Sequence, residues 1–230
     1  MPRRRGPGVL AGTWFPAEGT ARGAVLLLPP WVPWGRSYFH LRGRLQALRN
    51  AGYHALTLDF PGFGASGPRA GFFDLDFEDG LAFLRRQAGD LPLHLWGVSC
   101  GGTWAHPALA RSNDVAGAVF EDTSPHLIEW SWRMAPRLRP GYLLLRTVFP
   151  RAYRYLDARP HARDLGLGAV TYISGALDQG VRPHETEELA RLAGGRCHIV
   201  PGADHLGAVK VATAEVLALA LETFRRATKA

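Results

Sequence analysis

The most constraining feature of this chain is an alternation in which short apolar runs of strand length are repeatedly separated by segments of helical period. Runs at Ala24 to Leu28, Tyr53 to Asp59, Leu93 to Trp96, Val115 to Phe120, Ala169 to Ser174 and Cys197 to Val200 read as strands. Between them, Ser37 to Asn50, Asp74 to Gln87, Cys100 to Arg111, His184 to Leu192 and Gly207 to Arg226 read as helices. Neighbouring parallel strands need a crossover, usually a helix, so the pattern predicts an α/β fold: a mostly parallel central sheet with helices on both faces. In the second helix Phe77, Leu81 and Leu84 share one face, and Asp74 is the expected N-cap. An antiparallel opening strand is expected within Gly8 to Phe15. One stretch breaks the alternation. Thr123 to Arg163 is divided by Pro125, Pro136, Pro140, Pro150 and Pro160 into short pieces between two expected strands. With no repeat, low-complexity tract or linker elsewhere, the expectation is one domain over residues 1–230 with an insertion at about 123–163.

Composition narrows the classes. At 230 residues, 47% hydrophobic and 20% charged, the chain can bury a full core. Cys100 and Cys197 are too few for a disulfide framework and lack zinc-site spacing, which points to a reducing cytoplasm. Met1 to Gly8 is basic, but Val9 to Ala11 is too short an apolar run for a signal peptide, and the run from Ala24 ends at Pro29, too short to span a bilayer. Neither export nor membrane insertion is expected. The net charge is +7, and 25 of the 27 basic residues are Arg. Between Trp130 and Asp164 stand Arg133, Arg137, Arg139, Arg146, Arg151, Arg154, Arg159 and Arg163 against Asp157 and Asp164. That local excess of six nearly equals the whole, and reads either as a solvated Arg-rich helical surface or as a cationic rim over a pocket. Nucleic acid is not the expected partner.

The chemistry centres on Gly97-Val98-Ser99-Cys100-Gly101. With 27 glycines in the chain, Gly-x-Ser-x-Gly by itself is weak, but this copy follows a strand-like run and precedes a helical one, as a nucleophile elbow requires. A serine hydroxyl needs a base to take its proton and an acid to hold that base. Asp178, in Gly175-Ala176-Leu177-Asp178, and His205, in Pro201-Gly202-Ala203-Asp204-His205, follow the last two expected strands in the order Ser, Asp, His. Asp122, at the end of the strand before the insertion, is the rival acid, with helix capping as its structural alternative. The developing oxyanion needs two N–H donors. Cys100 offers the first. Pro29 and Pro30 have no N–H, so Trp31 is the first residue of its loop able to supply the second. Trp34, Trp130 and Trp132 are the expected substrate-pocket aromatics, with plain packing as the competing reading.

Gly62-Phe63-Gly64-Ala65-Ser66-Gly67 has dinucleotide spacing, but Pro68 follows where a helix should open, and the next strand ends without an acid for a ribose. It reads as a turn-rich loop. No Walker lysine, His-Glu-x-x-His or paired Cys is present, so neither cofactor nor metal is expected.

Taken together, Asp59-Phe60-Pro61-Gly62-Phe63-Gly64-Ala65-Ser66, the elbow and the two partner loops resemble the α/β-hydrolase superfamily over Gly8 to Phe224. The resemblance implies an eight-stranded, mostly parallel sheet with a short cap where the insertion lies. The chain departs from the family's usual His-Gly at Pro29-Pro30. The activity expected is hydrolysis of small carboxylic esters through a Ser99, His205, Asp178 triad and an acyl-enzyme. Acyl thioesters or other anionic substrates are the alternative, and a non-catalytic binding protein of the same fold is a second.

Overall fold

In a computed structural model, which describes residues 1–3, 8–67, 73–112 and 114–228, the apolar runs become the strands of one sheet. These are β1 Gly12–Phe15, β2 Gly23–Leu28, β3 Tyr53–Leu58, β4 Leu93–Val98, β5 Val115–Glu121, β6 Ala169–Gly175 and β7 Arg196–Val200. Their order is β1-β3-β2-β4-β5-β6-β7, with β1 antiparallel to β3 and every other pairing parallel. The described residues thus form seven strands where the family resemblance implied eight.

Side chains alternate across the sheet because successive residues of a strand point to opposite faces. Leu26, Leu56, Leu58 and Leu95 pack on one side with α2 (Phe73–Ala88), α3 (Cys100–Leu109) and α8 (Pro183–Leu192). Val25, Leu27, Trp96, Val119 and Ile173 pack on the other with α1 (Arg44–Asn50) and α10 (Thr213–Ala227). Both faces of β2 and β4 are therefore covered, and all six residues of each are buried.

Two expected helices are divided. Residues 37–50 are not one helix: 3₁₀ turns over Gly35–Gly43 are broken at Leu41 (ψ 135°) and Arg42 (φ 57°), and α1 begins only after Gly43 at φ 70°. The carboxyl-terminal helix is split at Ala212 into α9 (Ala208–Val211) and α10. Helix α2 already includes Phe73, one residue before the expected cap Asp74, whose side chain lies outside the described residues. Arg4, Arg5 and Pro68 also lie outside them, whereas Arg3 is buried in an ion pair with Asp76 at 2.6 Å.

The insertion is helical: α4 (Leu127–Met134), α5 (Arg139–Val148), α6 (Pro150–Tyr155) and α7 (Ala158–Arg163). Its two ends meet. Ala158 N–H donates to Pro125 O at 2.7 Å, and His126 and Asp157 form a β-bridge. His126 caps α4 by accepting from Ile128 N–H through Nδ1, and Nε2 lies 3.1 Å from Tyr153 O on α6. Arg133 clamps α4 to α8 through both oxygens of Glu185, at 2.9 and 2.8 Å.

Candidate active site

β4 is the central strand of the sheet, so the residue after it emerges at the middle of the carboxyl edge, where ligands of open parallel sheets bind. That residue is Ser99, with φ 51° and ψ −122°, a conformation costly for any side chain bearing a Cβ. The surrounding glycines let the backbone close this tightly. A Cβ on Gly97 would lie 2.7 Å from Gly102 Cα, and one on Gly101 would lie 2.5 Å from Pro29 O. Ser99 N–H donates to Glu121 O on β5 at 2.8 Å, and Ser99 O accepts from Thr103 N–H at 3.1 Å. The turn is held from both sides.

From the far end of the sheet two loops converge on it. Ser99 Oγ is 3.1 Å from His205 Nε2, and His205 Nδ1 is 2.7 Å from Asp178 Oδ2. The other Asp178 oxygen accepts the N–H groups of Gly180 and Val181, each at 2.8 Å. Asp178 is thus a buried acceptor. Facing an acceptor, neutral His205 carries its proton on Nδ1 and leaves the Nε2 lone pair toward Ser99. Burial alone would lower the pKa of His205, but the hydrogen bond and charge of Asp178, with Asp122 and Asp204 adding, raise it above the ordinary histidine value.

Asp122 lies close by in a different role. At φ 47° it turns both oxygens toward backbone, accepting from Gly175 N–H at 3.2 Å and Leu206 N–H at 2.8 Å. It ties the end of β6 to the His205 loop and caps no helix. Burial, then the neighbouring Glu121, push its carboxyl up to about 7, against the opposing pull of His205. Donor atoms of Asp122, Asp178 and His205 all fall within 4.8 Å of one another, as a metal would require. Yet the carboxylate oxygens already accept backbone or imidazole N–H groups, so a cation would have to break these bonds.

Behind the site lies a pair that the sequence reading missed. Arg44 and Glu121 meet at 3.1 Å with both side chains fully buried, and the guanidinium stands over the Tyr38 ring at 4.6 Å. An Arg in a surface-like helical segment and a Glu ending a strand carry no local mark of pairing across 77 residues. Asp59 is another hidden brace: its carboxylate accepts from Arg36 N–H and Ala65 N–H, joining the loops after β2 and β3. The Gly62 to Gly67 segment is turn, as expected.

The loop after β2 runs against the elbow, since Pro29 O and Leu28 O would both touch a Cβ on Gly101. Trp31 follows and packs edge-on against Phe63 and Trp104, the residue as a whole 43% exposed. Cys100 is buried at the first position of α3, and burial pushes its thiol far up, so it is no rival nucleophile. The three candidate pocket tryptophans separate. Trp130 on α4 lies 6.0 Å from the His205 ring, with its indole nitrogen against Gly180. Two residues on, Trp132 lines a different cavity of about 320 Å³ inside the insertion, with Glu129, Arg133, Tyr142, Leu143, Arg146 and Tyr153. Trp34 is exposed before the 3₁₀ turns, and no hydrogen bond or ring contact joins it to Ser99 or His205.

A mostly parallel sheet with a strained serine at the central strand-to-helix turn, and helices on both faces, defines an alpha/beta hydrolase. The sequence agrees: residues 23–150, more than half of the 230, match the alpha/beta hydrolase fold family, and the chain belongs to it. No curated protein matches the sequence. Among solved structures, an esterase from Pyrococcus furiosus superposes with a TM-score of 0.78 at 18% identity, covering 96% of this chain and 87% of that one. A bromoperoxidase from Bacillus anthracis gives 0.70 at 20% identity over 96% and 97%. The alpha/beta hydrolase GrgF from a Penicillium species gives 0.70 at 16% over 97% and 100%.

Proposed function

We propose that this protein is a serine hydrolase of carboxylic esters, with Ser99 as nucleophile, His205 as general base and acid, and Asp178 as the group that orients the imidazole and stabilises its protonated form. The observation that carries this reading is the continuous relay from Ser99 Oγ through His205 to Asp178, at 3.1 and 2.7 Å. His205 Nε2 takes the hydroxyl proton as Oγ attacks the ester carbonyl. The resulting imidazolium is balanced by Asp178, and the tetrahedral oxyanion is received by the N–H groups of Cys100 and Trp31. Collapse expels the alcohol, which leaves with the proton from His205. Water, deprotonated by the same imidazole, then cleaves the acyl-enzyme and returns the serine. The insertion acts as a cap, with Trp130 forming the wall of the acyl site beside His205 and the cavity around Trp132 lying outside the reacting centre.

The esterase from Pyrococcus furiosus supports this reading, and the bromoperoxidase shows that the same fold hosts another activity. Acyl thioesters whose leaving group carries a remote anion stand as the second substrate class, because Arg146, with no carboxylate partner among the described residues, lines the cavity of the insertion together with Arg133 and Glu129. The test is labelling with an organophosphonate followed by intact mass. Wild type should gain one adduct and Ser99→Ala none. Unmodified wild type would refute the nucleophile, and paired esters and thioesters of graded chain length then separate the substrate classes.

A further inference from the structure

Outside the triad, the insertion carries an apolar surface with nothing packed on it. Met134, Leu138, Leu144, Val148 and Phe149 are each between 51% and 59% exposed, and none of the residues of α5 is buried. Exposed apolar side chains gathered on one short insertion mark a surface that meets something. Its rim identifies the occupant. Arg137, Arg139, Arg151 and Arg154 are exposed, as is Arg146, and none of the five pairs with a carboxylate among the described residues. Residues 130–156 contain no Asp or Glu at all. The other two arginines that the sequence placed in this region before residue 160 are spent on structure, Arg133 on Glu185 and Arg159 on Glu129, Asp157 and Glu188.

Apolar side chains among arginines that no carboxylate neutralises fit a ligand that is oily within and negative outside, even though Arg139 also donates to Trp132 O and Arg146 stands over the Tyr153 ring. A second copy of the chain meets the first requirement but not the second, because a two-fold contact would set one arginine rim against the other. A nucleic acid meets the second but leaves the leucines in water. We infer that the insertion docks the protein on an anionic lipid surface, lying on it and not crossing it; among the described residues no helix is long and apolar enough to span a membrane. The insertion follows β5, and Trp31 and Trp34, 43% and 56% exposed, follow β2, so both leave the same carboxyl edge of the sheet as Ser99. Docking there brings the candidate active site to the lipid–water boundary. The inference does not depend on Ser99 chemistry.

The test is co-sedimentation with large vesicles of phosphatidylglycerol and phosphatidylcholine, beside vesicles of phosphatidylcholine alone. Wild type and Ser99→Ala should pellet equally with the anionic vesicles and stay in solution with the neutral ones, and added salt should weaken the binding. Each surface arginine contributes about fivefold to partition, so Arg151→Gln with Arg154→Gln should weaken it about 25-fold. Leu144→Gln with Val148→Gln, both at exposed positions, should weaken it at least tenfold while leaving thermal unfolding unchanged. Failure to pellet with anionic vesicles overturns the inference. So does binding that the two Gln-for-apolar changes leave intact while RNA competes it away, which would make the site a polyanion site. A dimer in sedimentation velocity that the same two changes dissolve would make a second copy the occupant and overturn it equally.

Discussion

Replacing Ser99 by glycine should make the protein more stable than replacing it by alanine, although both changes remove the proposed nucleophile. At φ 51° and ψ −122° the Cβ of residue 99 is in steric conflict with its own backbone, a conflict worth about 1–3 kcal/mol. Alanine keeps that Cβ and glycine removes it. Glycine in turn costs roughly 0.5–1 kcal/mol by freeing the unfolded chain. The hydrogen bond from Ser99 Oγ to His205 Nε2 is absent in both variants and cancels from the comparison. Taking the middle of each range, the remainder favours Ser99→Gly by about 1 kcal/mol, or roughly 2–4 °C in Tm for a chain of this size. Parallel calorimetric scans of the two variants at one pH read the difference directly. Equal melting temperatures, or a lower one for glycine, would refute the claim that the elbow is strained and that the chain keeps the strain in order to present the hydroxyl.

Asp178→Asn should lower kcat by about 10³–10⁴-fold, since the amide no longer stabilises the imidazolium or holds His205 in the required tautomer. Asp122→Asn should leave kcat within about tenfold but cost about 1–3 kcal/mol in urea unfolding, because one backbone N–H at Gly175 or Leu206 would then face an amide donor. Activity should rise with pH through a midpoint above 6.5, because the proposed general base His205 would work only when neutral and its pKa is raised; Asp178→Asn should move that midpoint down, read from kcat/KM profiles on a short ester. Protonated His205 stabilises the fold, so this contribution is fully present below about pH 6.5 and is lost as pH rises through the raised folded value. Thermal scans of wild type and Asp178→Asn across that window should converge on the alkaline side. Arg44→Met should destabilise by about 3–5 kcal/mol in urea unfolding, because it leaves Glu121 buried without its partner.

Much of this architecture is written in local chemistry. The apolar runs at β2 to β7 are strands because period and β-propensity are properties of a few neighbouring residues, and the elbow is legible because only glycine fits at positions 97 and 101. The order Ser99, Asp178, His205 was legible for the same reason, each standing just after a recognisable strand. Tertiary structure decided what depends on meeting. It halted the expected helix of residues 37–50 at Gly43, where a left-handed residue lets the chain turn into α1. Packing also turned Asp122 toward two backbone N–H groups, where the sequence offered a helix cap or a rival acid. It sent Trp130 to the imidazole and Trp132 to a separate cavity, because residues two apart on a helix face different ways. It also buried Arg44 with Glu121 while leaving five other arginines around bare leucines. Identity and spacing along the chain determine which elements form. Which side chain reaches which partner across the 27 residues from Asp178 to His205, or the 106 from Ser99 to His205, is settled only when the sheet has brought its loops to one edge.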